Sequence, residues 1–246
     1  MDVVKCLIIL LIAHVLGDFY FETKKIKEIK EKKYMGIVMH SLEYLIVSMG
    51  VIVPIINKSM VCMALYLSLL HFVFETVKYI AIKNNGKLEN LFIWHQGIQI
   101  LSVILLSYII SKQDFYISLH QFVDALFNAY GIDKMMFLRW ILALLYLYKP
   151  ANILIQSLLS GYKPREKELS ELKTNNGAGR KIGILERFIM LMFIAMNQYA
   201  SLGLVLTAKS IARYDKIAKD EQFAEYYLLG TLLSTACVLI CKILLL

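Results

Sequence analysis

Four successive apolar segments each carry a histidine with a second polar side chain at helical spacing. His14 precedes Asp18 by four residues, and His40 precedes Glu43 and Tyr44 by three and four. His71 precedes Glu75 by four and Lys78 by seven, while His95 stands four before Gln99 with Gln96 beside it. Residues three and four apart share a helix face, so each segment presents one polar stripe. Ionisable groups in hydrocarbon cost about 2.5–3.5 kcal/mol each, which drives them to face one another or a wet cavity. Four such stripes can converge on one polar centre. Histidine with carboxylate is the donor set of Zn, Mn or Fe sites, and a metal held this way makes bound water a nucleophile near neutral pH. The candidate ligands are His14, Asp18, His40, His71, Glu75 and His95. Glu43 is the candidate base, and Lys78 the group that stabilises developing negative charge. For any one pair, a hydrogen-bond network that merely joins helices is the competing reading, and the HExxH zinc signature is absent. His120, on a more polar segment, reads as an interfacial histidine.

The elements that must position these groups are membrane helices. The chain has 246 residues, 59% of them hydrophobic, and its mean hydropathy is +0.60. A water-soluble core of this length could not hide that much apolar surface. Several segments run for about 20 residues with almost no charge, the length of a span. Helices are expected over about 3–21, 35–56, 60–82, 91–111, 134–160, 183–208 and 225–246, with a break near Pro150. The run 114–131 interleaves Asp114, His120, Gln121 and Asp124 with aromatics and reads as an interfacial amphipathic helix. The stretch Glu22–Lys33 reads as solvated. The expected fold class is therefore all-α: a polytopic transmembrane helix bundle of about six to seven spans plus an interfacial helix. Its organisation is a four-helix region over 1–112 holding the His/carboxylate centre, and a C-terminal membrane region over 113–246 with basic loops.

Net charge is +8, yet the lysines cluster between apolar runs. This is the positive-inside pattern, with contact to anionic lipid, and it speaks against nucleic acid. The expected location is the inner (plasma) membrane. The six-lysine stretch after the first helix then lies in the cytoplasm, and so do the loops 83–90 and 161–181. The basic stretch 209–219 does not fit, since a single span over 183–208 would put it outside. Either that segment is re-entrant or one of the runs 114–131 and 134–160 is miscounted. The four cysteines, Cys6, Cys62, Cys237 and Cys241, all sit in apolar runs and read as buried free thiols. In the second half, Arg180, Arg187, Lys209 and Arg213 could form an anion or lipid-headgroup site, because the planar guanidinium fork can bind two oxygens. The alternative is that Glu186 pairs with Lys209 or Arg213 and locks two helices.

The run Ala13-His14-Val15-Leu16-Gly17-Asp18-Phe19, followed by His40 and by His71 with Glu75 and Lys78, resembles the bacterial integral membrane family called domain of unknown function 3307. The family pattern is an AHxxGDFxxQ start, a later lone His, an HxxxDxxK and an FxxDQxxH. Here Glu22 stands in place of Gln and Glu75 in place of Asp. His95-Gln96 replaces Asp-Gln, and Gln99 replaces the last His. Gly179–Arg187, Ala208–Arg213 and Glu225–Thr231 resemble longer members. The resemblance implies a membrane protein without an established activity, whose His/Asp pattern is similar to that of membrane-embedded metal-dependent hydrolases. Three functional readings follow. The first is a metal-dependent hydrolase acting on a lipid-like or phosphorylated substrate, using Zn, Mn or Fe. The second is a transporter or ion-conducting protein using the same polar centre. The third is a non-catalytic membrane partner protein.

Overall fold

The computed structural model describes residues 2–55, 58–85, 91–111, 120–162 and 178–246, and among these it is helical with no strand. In chain order the helices are α1 (Asp2–Val15), continued by a π-helical turn Leu16–Tyr20, α2 (Lys24–Lys32), α3 (Tyr34–Ile52), α4 (Lys58–Asn85) and α5 (Leu91–Ser111). They continue with α6 (Gln121–Ala129), α7 (Lys134–Tyr148), α8 (Pro150–Leu158), α9 (Ala178–Ala195), α10 (Ala200–Ile211), α11 (Tyr214–Lys219) and α12 (Glu221–Leu245). Among the described residues, six stretches are long and apolar enough to cross a membrane: Val3–Tyr20, Tyr34–Ile52, Ser59–Asn84, Leu91–Ile109, Lys134–Leu158 and Glu221–Leu245. Their outward faces bear exposed Ile46, Tyr66, Leu69, Trp94 and Leu105, which suit lipid and not water. The chain divides into two compact units, one ending at Leu142 and one starting at Ala143.

In the first unit α1 packs on α3 and α5, and α4 packs on α3 and α5. Neighbours run antiparallel, as the meetings of Asp18 with His40 and of His14 with Tyr44 show. The alternation has a consequence for chemistry. His14 lies late in α1 and Asp18 on the π turn that follows, His40 early in α3, His71 at the middle of α4 with Glu75 one turn beyond, and His95 early in α5. All of them therefore sit at the end of the bundle bounded by the lysine-rich connection. The opposite end holds an apolar cluster of Cys6, Leu10, Ile52, Ile55, Met60, Met63, Ala64 and Val103, with Ser48 and Ser107 also buried late in α3 and α5.

Three sequence expectations need correction. Glu22–Lys33 is not a plain solvated stretch but holds a capped helix. The Thr23 side chain accepts from the Ile26 N–H at 3.3 Å and starts α2. Its inward face is Ile26, Ile29 and Lys30, set at helical spacing. A Cβ on Gly36 would overlap the backbone of Ile29 and Lys30, so only glycine lets α3 approach α2 this closely. The run 183–208 is not one helix: α9 stops at Ala195 and α10 starts at Ala200. Cys62 is exposed, whereas Cys6, Cys237 and Cys241 are buried free thiols. The break expected near Pro150 is present, since α7 ends at Tyr148 and α8 has Pro150 at its first position. Of the amphipathic run, α6 is described; residues 114–119, and the loop residues 163–177, lie outside the described residues.

Candidate metal centre

Asp18 is the hub of the polar end. It lies on the π turn closed by the Phe21 N–H donating to the Leu16 carbonyl at 3.0 Å. His40 Nε2 and His71 Nε2 lie 3.4 and 3.2 Å from its Oδ1. The Gln96 amide donates to its other oxygen. Asp18, His40, His71 and Glu75 each offer one ligand atom, and these atoms all lie within 4.8 Å of one another. All four side chains are buried.

The quartet fits a divalent ion by donor chemistry and by spacing. Two imidazoles and two carboxylates form a set used for Zn, Mn and Fe. Ligands about 2.1 Å from a tetrahedral metal stand about 3.4 Å apart, so the observed group needs only a small closure. His40 Nδ1 and His71 Nδ1 are buried without a hydrogen-bond partner, the former 4.0 Å from Glu22 Oε1, while both Nε2 atoms turn to Asp18. The ring of Tyr44 stacks on His71 at 3.9 Å between centroids, with 15° between planes, and holds that imidazole in place. Gly17 makes room for it: a Cβ there would lie 2.6 Å from the Tyr44 ring.

The other candidate residues surround this quartet. His14 Nδ1 is 3.2 Å from the Tyr44 hydroxyl and its Nε2 is 3.4 Å from Gln96 Oε1, so it supports the residues that touch Asp18. His95 Nε2 is 3.2 Å from Glu75 Oε1 and 3.2 Å from Gln99 Nε2. Lys78 Nζ donates to Glu75 Oε1 at 3.2 Å. Glu43 is half-buried at the edge, close enough to His40, Glu22 and Lys30 to feel their charge.

The spacing rules missed Lys30. From α2 it reaches Glu75 Oε2 at 3.5 Å and also pairs with Glu22. Burial works against its charge, but Glu75, Glu22 and Asp18 outweigh burial and hold its pKa above the usual lysine value. The amphipathic phase of Ile26, Ile29 and Lys30 was the signal available for it. Gln96 was visible only as a neighbour of His95.

In the second unit two of the four basic candidates, Lys209 and Arg187, meet separate partners. Lys209 donates to Glu186 Oε2 at 2.7 Å, which ties α10 to α9. Arg187, only 2% exposed, donates from Nε to the Leu147 carbonyl at 2.9 Å and from Nη1 to Ser234 at 3.5 Å. That carbonyl lies at the end of α7, where Pro150 interrupts the helical ladder. Arg180 is exposed and Arg213 half-exposed.

Fold and centre together define an all-α protein with membrane-type helices and a buried His/Asp/Glu cluster at one end of its first unit. The family model described as "Protein of unknown function (DUF3307)" matches residues 6–127, and the chain belongs to that family. This segment contains every residue of the quartet. No curated protein and no solved structure matches the chain.

Proposed function

We propose that the polar centre binds one divalent cation (Zn, Mn or Fe) and serves a membrane-embedded hydrolase acting on a lipid-like or phosphorylated substrate. The observation that carries this reading is the convergence of Asp18, His40, His71 and Glu75, from three helices, within 4.8 Å. Charge supports it. Lys30 pairs with Glu22 and Glu75, and Lys78 with Glu75, while Asp18 meets only histidines and the Gln96 amide, so its carboxylate is free to face a cation.

A bound divalent cation supplies an acidified water at neutral pH. The chain's residues supply the rest. Gln96 and Tyr44 orient Asp18 and His71, as outer-shell partners do in metal sites. Lys30 and Lys78 flank Glu75 and offer positive charge to an anionic group approaching the centre. Glu43, at the edge, is placed to accept a proton. Under the positive-inside rule the lysine-rich end faces the cytoplasm across the inner membrane, so the substrate enters from that leaflet.

The apolar cluster at the far end weighs against the transporter reading. An ion path needs polar lining through the bundle, whereas in its far half an apolar cluster from Cys6 to Val103 outnumbers the buried Ser48 and Ser107. The test is elemental analysis of detergent-purified protein, followed by phosphomonoester and phospholipid hydrolysis with the reconstituted metal. Wild type is expected to hold one Zn, Mn or Fe per chain, and Asp18→Asn and His71→Ala to lose it together with hydrolysis. A wild type that binds no metal on reconstitution sinks the metal reading, while metal without hydrolysis sinks the enzymatic one.

A further inference from the structure

The second unit reverses direction inside an apolar stretch. Asn197 has φ 59°, the left-handed conformation that asparagine tolerates better than most residues. The Asn197 N–H donates to the Ile194 carbonyl at 3.0 Å, and the Gln198 N–H to that of Phe193 at 2.8 Å. This bond pair is a Schellman motif, a true helix end and not a kink. α10 then folds back along α9, as the Glu186–Lys209 ion pair between residues 23 apart requires.

The hairpin lies beside α12. Lys209 stands over the Tyr227 ring, Arg187 meets Ser234, and Thr235 donates to Met190 Sδ at 3.9 Å. The two contacts made by α9 itself rise together, Arg187 with Ser234 and Met190 with Thr235, so α9 runs parallel to α12. From Met190 to the Asn197 turn is about 10 Å of helix, against about 15 Å from Thr235 to the end of α12. The turn therefore stops short of the far end of that span. Neither α9, with Arg180, Lys181, Glu186 and Arg187, nor the 12-residue α10 qualifies as a span.

We propose that α9 and α10 form a re-entrant hairpin that enters and leaves the bilayer on one face. It returns Arg213, Lys216 and Lys219 to the anionic leaflet contacted by the Glu22–Lys33 lysines. With the six apolar stretches as spans, residues 21–33 and 212–220 fall on a single side, and both lysine-rich connections obey the positive-inside rule. The misfit of 209–219 disappears. Burying Arg187 against Leu147 and Ser234, away from lipid, is how a charged residue is tolerated at such depth.

The test is labelling of the full-length protein with a membrane-impermeant maleimide, in intact cells and in inverted vesicles. In a Cys62→Ala background, one cysteine each is introduced by Lys25→Cys, Asp133→Cys, Asp215→Cys and, as a second reporter of the same segment, Lys219→Cys. All four positions are exposed. The hairpin requires that positions 215 and 219 react from the same face as 25, and position 133 from the opposite face. Reaction of 215 and 219 from the face of 133, from both faces or from neither overturns the proposal.

Discussion

Replacing Gly17 by alanine tests how tightly the centre is held. The added Cβ would lie 2.6 Å from one Tyr44 ring carbon and 3.0 Å from another. Carbon atoms normally approach to about 3.5–4.0 Å, so roughly 1 Å of displacement is needed. Tyr44 has nowhere to go, because it is fully buried, stacked on His71 and bonded to His14. The displacement passes into the quartet. Overpacking of this kind costs about 1–3 kcal/mol, and at about 2–4 °C per kcal/mol for a chain of this size the melting temperature falls by roughly 2–12 °C. Misplaced outer-shell support lowers metal affinity by about 10–100-fold. Thermal unfolding in detergent with and without added Zn reads both effects. Gly50→Ala and Gly97→Ala are the controls, since nothing lies within 4 Å of a Cβ at either. Alanine there is expected to gain about 0.5–1 kcal/mol in helix propensity. A Gly17→Ala protein as stable as wild type, with undiminished metal binding, would refute the reasoning.

Gly36→Ala drives a methyl into the backbone of Ile29 and Lys30, which cannot swing aside as a side chain can. It is expected to release α2, seen as faster trypsin cleavage at Lys24–Lys33 with the rest of the chain still protected; unchanged cleavage would contradict the close packing. Lys30→Met removes a charge-assisted contact, at a cost of about 1.5–3 kcal/mol. Lys30's pKa is raised in the fold above 10.5. Its contribution is therefore complete below that pH and is lost only as pH rises through the higher folded value. The deficit relative to wild type should stay flat from pH 6 to 10 in chemical unfolding, and a deficit that shrinks within that window would count against the Lys30–Glu75 pairing.

Helix positions were legible because apolar runs of span length carry their own signal, and α1, α3, α4, α5 and α12 start and end within a few residues of the expected places. The histidine and carboxylate stripes were legible for the same reason, as polar exceptions within those runs. Spacing could not tell which nitrogen or oxygen meets which. His14 and His95 share faces with the right neighbours, yet they contact Tyr44, Gln96 and Glu75. α2 was hidden because its composition, dominated by lysine and glutamate, has the look of solvent. Only the phase of Ile26, Ile29 and Lys30 reveals an inner side. The reversal at Asn197 was hidden because no glycine or proline marks it, and an asparagine in an apolar run passes for an isolated polar residue.

The π turn at Leu16–Tyr20 puts the centre in historical terms. Such a turn holds one residue more than the α-helical turn it replaces, and each residue rotates a helix by about 100°. Removing one residue there would swing the Asp18 carboxylate away from His40 and His71 while leaving α1 long and apolar. One inserted codon would be enough to turn a plain membrane helix into one that brings a carboxylate to two imidazoles. Relatives lacking that residue would keep the bundle and lose the centre.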